Sequence, residues 1–191
     1  YSSNGVHTQN GYNLAVERIN SMGGVKVGGK TYKFEIIYYD DESNSGRAAQ
    51  LAERLIQQDG VKYMLGPYSS GLTKAMAPVT EKYEVPMVEA NGASRSLFTK
   101  GYKYLFAVLA PANLYLDVAI DLAVEKNGGK PVTIAMAFEQ DAFSQDVRLG
   151  IVEAAKRTGS KIIIDDKLPK ELNDMAATLS KVKATNPDVL V

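Results

Sequence analysis

Two short stretches carry residue types at spacings that could do chemistry. Gly24, Gly29, Lys30 and Thr31 fit G-x-x-x-x-G-K-[ST], the pattern with which phosphate-binding loops cradle a nucleotide. In "GPYSSG", residues 66–71, Gly66 and Pro67 turn the chain, and Ser69 or Ser70 then opens an apolar-periodic run. A serine hydroxyl beside the leading N–H groups of a helix makes a receptor for a carboxylate or other anion. The same serines also serve as plain N-caps.

Three further sets need weighing. "EANGAS", residues 89–94, offers Asn91, Gly92, Ala93 and Ser94, small residues that allow close backbone approach; it also reads as an ordinary strand-to-helix loop. Phe143 in "EQDAFSQD" could wall an apolar ligand or pack on its own lobe. Asp40 and Asp41 end an apolar run before a helix and read as turn and cap residues rather than a metal pair. Ser70, His7 and Asp41 supply the types of a hydrolytic triad. No G-x-S-x-G elbow surrounds the serines, however, and no G-x-G-x-x-G follows a strand, so the reading is not an enzyme.

Composition narrows the classes. The 191 residues are 45% hydrophobic and 23% charged, with zero formal net charge and no basic runs. That argues for a globular core and against a nucleic-acid partner. No cysteine and one histidine exclude disulfides, thiolate sites and multi-histidine metal centres, and no cofactor is expected. No apolar run approaches a membrane span, so direct membrane insertion is not expected.

The elements that must position these residues follow from periodicity. "GYNLAVERINSM" predicts a helix with Ala15, Ile19 and Met22 on one face and Leu14 and Val16 beside them, preceded by a loop through Asn10 and stopped by Gly23 and Gly24. "TYKFEIIYYDD" predicts a strand, residues 31–41. The glycine-rich segment therefore leaves a helix and enters a strand, the reverse of the phosphate-loop context. Helices are predicted over residues 44–60, 69–83 (broken or bent at Pro78), 112–129, 144–159 and 173–187. Strands are predicted at "VKYMLG", "VPMVEA", "YKYLFAVLA", "PVTIAMAF", "KIIIDDKL" and "DVLV". Single helices between strands imply an α/β fold with parallel sheets covered on both faces. The alternation runs twice, giving two Rossmann-like lobes, residues 1–109 and 110–191, joined through "FAVLAPAN". A first helix without a leading strand, and an end inside a strand, suggest an incomplete fragment.

Taken in order, "GYNLAVERINSMGGV", "GGKTYKFEIIYYDDESNSGRAAQLAERLIQQDGVKYMLGPYSSG", "VPMVEANGASRSLF", "YLFAVLAPAN", "AMAFEQDAFSQDVRLGIVEAAKRTG" and "NPDVLV" resemble the type I periplasmic solute-binding proteins of ABC importers, leucine/isoleucine/valine-binding branch. The resemblance implies a small carboxylate-bearing ligand in an inter-lobe cleft, hinge closure, a membrane permease as partner, and a periplasmic or extracellular location. It implies that Ser70 holds the carboxylate, with Ser69 beside it. Asn91, Gly92 and Ala93 hold the same group, and Ser94 lies just beyond. Phe143 and Tyr68 line the apolar part, and Asn4 falls at a first-loop pocket position. The family's acidic partner for an ammonium group would lie beyond Val191. Asn91 and Gly92 stand where small or hydroxyl residues are usual, and Phe143 lacks a tyrosine hydroxyl. Both departures leave room for aromatic carboxylates such as benzoate derivatives beside amino acids. A ligand-sensing ectodomain or amide-sensing regulator shares the fold and is the alternative reading.

Overall fold

A computed structural model describes residues 1–170 and 174–191. Contacts divide the chain into one unit of Tyr1–Gly92 with Gly101–Val108, and a second of Ala93–Lys100 with Leu109–Val191.

Unit 1 opens on helix α1 (Ser2–Ser21). The loop predicted before Gly11 is therefore helical, although its serines, asparagines and glycines are weak helix formers. No α1 residue is fully buried. Its half-buried residues are Gly5, Thr8, Tyr12, Val16, Ile19 and Asn20, so Ile19 of the predicted face and Val16 beside it hold, whereas Leu14 and Ala15 are exposed and Met22 is 69% exposed. Polar anchoring sets that face. The Tyr12 hydroxyl donates to the Gly66 carbonyl at 2.9 Å. The Asn20 amide pairs both backbone groups of Phe34, each at 2.8 Å.

After α1 the chain makes a small antiparallel hairpin, β1 (Val25–Val27) and β2 (Lys30–Tyr32). Gly28 and Gly29 both take positive φ, +57° and +79°. Two-residue hairpin turns of the I′ type require this, so glycines suit both places. The phosphate-loop pattern is thus a hairpin turn, with Lys30 exposed. The strand predicted over 31–41 shrinks to β2: among the described residues, 33–40 have no sheet partner. Asn20, and Asn13 through the Tyr38 hydroxyl at 2.9 Å, hold that stretch instead.

Helix α2 (Ser45–Gln57) is capped by the Asn44 side chain, which accepts from the Arg47 amide at 2.9 Å. It buries Ala48 and Ala52 and packs on α3 (Ser70–Lys82). Helix α3 continues through Pro78 without the interruption that was one of the two predicted outcomes there. Three parallel strands complete the unit: β3 (Met64–Leu65), β4 (Met87–Glu89) and β5 (Leu105–Ala107). Their register aligns two rows. Met64, Met87 and Leu105 are buried on the α3 side, whereas Leu65, Val88 and Phe106 are 40%, 37% and 51% exposed. Among the described residues, then, only one face of these strands is covered, and their burial alternates with period two.

Unit 2 begins with a 3-10 turn, Arg95–Leu97, and continues from a second, Ala112–Leu114, into α4 (Asp117–Lys126). The helix predicted over 112–129 is thus split. Strand β6 (Thr133–Glu139) leads to α5 (Ala142–Thr158), β7 (Lys161–Leu168), α6 (Ala176–Thr185) and β8 (Val189–Leu190). The start predicted for the last helix, at Asn173, lies outside the described residues. The sheet is parallel in the order β7-β6-β8, with one irregularity in register beside Ile134. Ile120, Val132, Ile134, Met136 and Ile151 form its core. Full burial of one such isoleucine contributes about 1.5–3 kcal/mol. Asp141 caps α5 by accepting from the amides of Phe143 (2.7 Å) and Ser144 (3.0 Å), and Gly159 ends it at φ +73°. No described helix is long and apolar enough to cross a membrane.

Candidate functional site

In unit 1, the loops leaving β3 and β4 meet at the first turn of α3. Ser69 initiates that helix from φ +99° and ψ 148°. This backbone region is nearly exclusive to glycine and costs a serine about 1–3 kcal/mol, so the surroundings must hold it. Its hydroxyl accepts from the Leu72 amide (3.3 Å) and its carbonyl accepts from the Thr73 amide (3.1 Å). Ser70 follows as the first helical residue and is 1% exposed.

Glu89, missed in the sequence, organises the loop after β4. It is fully buried. Oε1 accepts from the backbone amides of Asn91 and Gly92, and Oε2 lies 2.6 Å from Thr73 Oγ1 in α3. Burial pushes its carboxyl above the ordinary range despite those bonds. The Tyr12 phenol is raised as well, first by burial and then by the nearby Glu89. Gly66 has no side chain because Glu89 takes the space: a Cβ there would stand 1.9 Å from Oε2. One sequence signal was available, an acid at the end of an apolar strand directly before two loop amides.

The structure thus gathers Ser69, Ser70, Asn91 and Gly92 with Glu89 and Thr73. It also turns two amides expected to face a ligand, those of Asn91 and Gly92, onto Glu89. Tyr68 stands edge-on to Tyr1, ring centroids 5.6 Å apart. Asn4 lies exposed in the first turn of α1, its carbonyl accepting from the Thr8 hydroxyl, rather than in a loop. His7 is exposed on the same helix. Asp40 and Asp41 accept from the amides of Glu42 (2.8 Å) and Ser43 (2.7 Å), the turn role predicted for them.

The remaining candidates belong to unit 2. Ala93 is buried, its carbonyl accepting from the Ala112 amide at 2.8 Å. Ser94 is 1% exposed and caps the first 3-10 turn. Beside it Arg95 is fastened to buried Asp146 of α5: the guanidinium Nε donates to Oδ1 at 2.8 Å and the backbone amide to Oδ2 at 2.9 Å. Asp146→Ala is expected to cost about 2–3 kcal/mol, given that hydrogen bonds to a charged group contribute about 1.5–3 kcal/mol. Urea denaturation would check this, with a shift in midpoint at unchanged slope as the expected result. Phe143 packs edge-on against Tyr115, centroids 5.5 Å apart, at a recess of about 270 Å³ that Met136, Phe138 and Val147 also line.

The comparisons with known proteins agree with this architecture. The family model described as periplasmic binding protein matches residues 1–191. A leucine-, isoleucine-, valine-, threonine- and alanine-binding protein of Pseudomonas aeruginosa is 25% identical over 170 residues, 89% of this chain and 44% of its own. The branched-chain amino acid transporter substrate-binding protein LivJ of Streptococcus pneumoniae, solved with isoleucine, superposes with a TM-score of 0.80 at 26% identity, covering 95% of this chain and 50% of its own. An R. palustris solute-binding protein solved with 4-hydroxybenzoate gives a TM-score of 0.76 at 25% identity, over 90% of this chain and 45% of its own. The chain therefore spans about half the length of the relatives it matches. With a match along all 191 residues and parallel α/β units in both halves, the chain belongs to the periplasmic binding protein family.

Proposed function

We propose that this chain is part of the solute-binding component of an ABC importer. It captures a small carboxylate, an amino acid or an aromatic acid, outside the cytoplasmic membrane and serves a membrane permease. No chemical conversion of the ligand belongs to this reading. Isoleucine and 4-hydroxybenzoate, the solutes named for two similar structures, share a carboxylate on an apolar body. The observation that carries the proposal is the first turn of α3, which opens directly beyond the carboxyl end of β3. Ligands of parallel α/β sheets bind at such ends, and helix N-termini favour anions. Because the amides of Asn91 and Gly92 serve Glu89, we assign the carboxylate to the Ser70 hydroxyl and the α3 turn, with Asn91 contributing its side chain.

Ser70→Ala is expected to weaken binding of benzoate or isoleucine by roughly 1.5–3 kcal/mol, the range for a hydrogen bond to a charged group. Calorimetric titration measures it, with the melting temperature followed to confirm folding. An unchanged dissociation constant would remove Ser70 from the site.

A further inference from the structure

Around Glu89 the oxygens outnumber the hydroxyl protons of Thr73. Thr73 Oγ1 lies 2.8 Å from the Ser69 carbonyl oxygen and 2.6 Å from Glu89 Oε2. Each contact is short enough to need a proton between its oxygens. A threonine hydroxyl has one proton and a carbonyl oxygen has none. The second proton must therefore come from the carboxyl group. The other carboxyl oxygen is turned toward two N–H donors, as an acceptor should be.

We propose that Glu89 sits in the folded chain as the neutral acid, donating through Thr73 to the Ser69 carbonyl. It thereby positions the α3 turn and spares the anion receptor a second negative charge. The last clause rests on the function proposed above; the protonation does not. Glu89 is fully buried, and that favours the uncharged form. Among the described residues, the elements around it bring no compensating charge. From α1 comes Tyr12, and beyond it Tyr38, both phenols raised above their ordinary value and so neutral. From α3 come Ser69 and Thr73, from the β3 end the Gly66 backbone, and from the end of β5 the Val108 amide, which donates to the Glu89 carbonyl at 3.1 Å.

The sign of the pH dependence follows. A carboxyl raised on folding binds its proton more tightly in the native state, as the direction for Glu89 indicates. Its stabilising contribution is complete below the ordinary glutamate value of about 4.3 and is lost as pH rises through the folded value. Across that window the folding equilibrium constant falls by up to about tenfold per pH unit on this group's account.

The experiment uses the full chain with carboxyl-labelled glutamate, followed by NMR from pH 4 to 9, and Glu89→Gln to assign the signal. Glutamine can accept from both amides and donate to Thr73, so it imitates the neutral acid without titrating. The expected result is one glutamate carboxyl titrating above the others, missing in the variant, together with a fall of wild-type stability with pH that the variant lacks. A Glu89 signal already ionised at pH 5, or parallel stability profiles, would overturn the proposal. Benzoate, an anion throughout pH 6 to 9, probes the receptor. Its dissociation constant should rise with pH in the wild type as Glu89 ionises and stay level in Glu89→Gln. Equal pH dependence in both proteins refutes the electrostatic role. Absence of benzoate and isoleucine binding at every pH counts against the proposed function, while the NMR titration still decides the proton.

Discussion

Gly150→Ala should destabilise unit 2 by about 3 kcal/mol, the upper part of the range for overpacking a close contact. Local preference argues the other way, since alanine in a helix interior is ordinarily better than glycine by about 0.8–1.0 kcal/mol. Geometry decides the sign. A Cβ at Gly150 in α5 would stand 1.8 Å from the Asn113 carbonyl oxygen, 2.6 Å from its carbon and 2.9 Å from its Cα. All three are backbone atoms, so no side-chain rotation gives relief, and either α5 or the 112–114 turn must move. Both pack on the unit 2 core, where Ala112 and Ile151 are nearly inaccessible. Urea unfolding followed by circular dichroism provides the number. A neutral or stabilised variant would show that the turn is not pressed onto α5 in solution.

Gly66→Ala is expected to cost about the same by a different route. The backbone of Gly66 is not left-handed, so nothing in its own torsions requires glycine. The obstacle is the Glu89 carboxyl, with Oε2 at 1.9 Å and Cδ at 2.8 Å from the added carbon. The carboxyl can swing away only by surrendering Asn91, Gly92 and Thr73. At about 1 kcal/mol net for each bond, the loss is about 3 kcal/mol. A double-mutant cycle with Glu89→Ala isolates the cause. If methyl and carboxyl compete for one space, the second substitution should cost far less once the first is made. Strict additivity would mean that they do not meet.

The α/β alternation was legible because it lies in local periodicity, and helices α2 and α5 show why. Apolar spacing, a capping Asn44 at the start of α2 and Gly159 past the end of α5 are all neighbours in sequence; the Asp141 cap, three residues before the predicted start at Ser144, was not read. What failed depended on distant partners. The stretch 33–40 is held by Asn20 meeting Phe34 and Tyr38 meeting Asn13, contacts that no window of local preference contains. The serines of "GPYSSG" could be placed at a helix start because hydroxyls recur there for a stated reason. Glu89 could not be placed, because its meaning comes from being closed off from water against Thr73, sixteen positions away. The same holds for Asp146, whose partner Arg95 reads in the sequence as one more solvated charge.

Neither unit is a continuous piece of chain: 93–100 belong with 109–191, and 101–108 return to 1–92. No single cut yields two whole halves, so a protease nick or a shortened gene that severs the chain near residue 100 would strip one half of an edge strand or the other of its arginine fastening. Synthesis faces the same threading. As the polypeptide leaves the ribosome, Arg95 must wait for the 51 positions that separate it from Asp146, while β5 is already available to its sheet. The first sheet can close early, and the looped-out segment becomes anchored late.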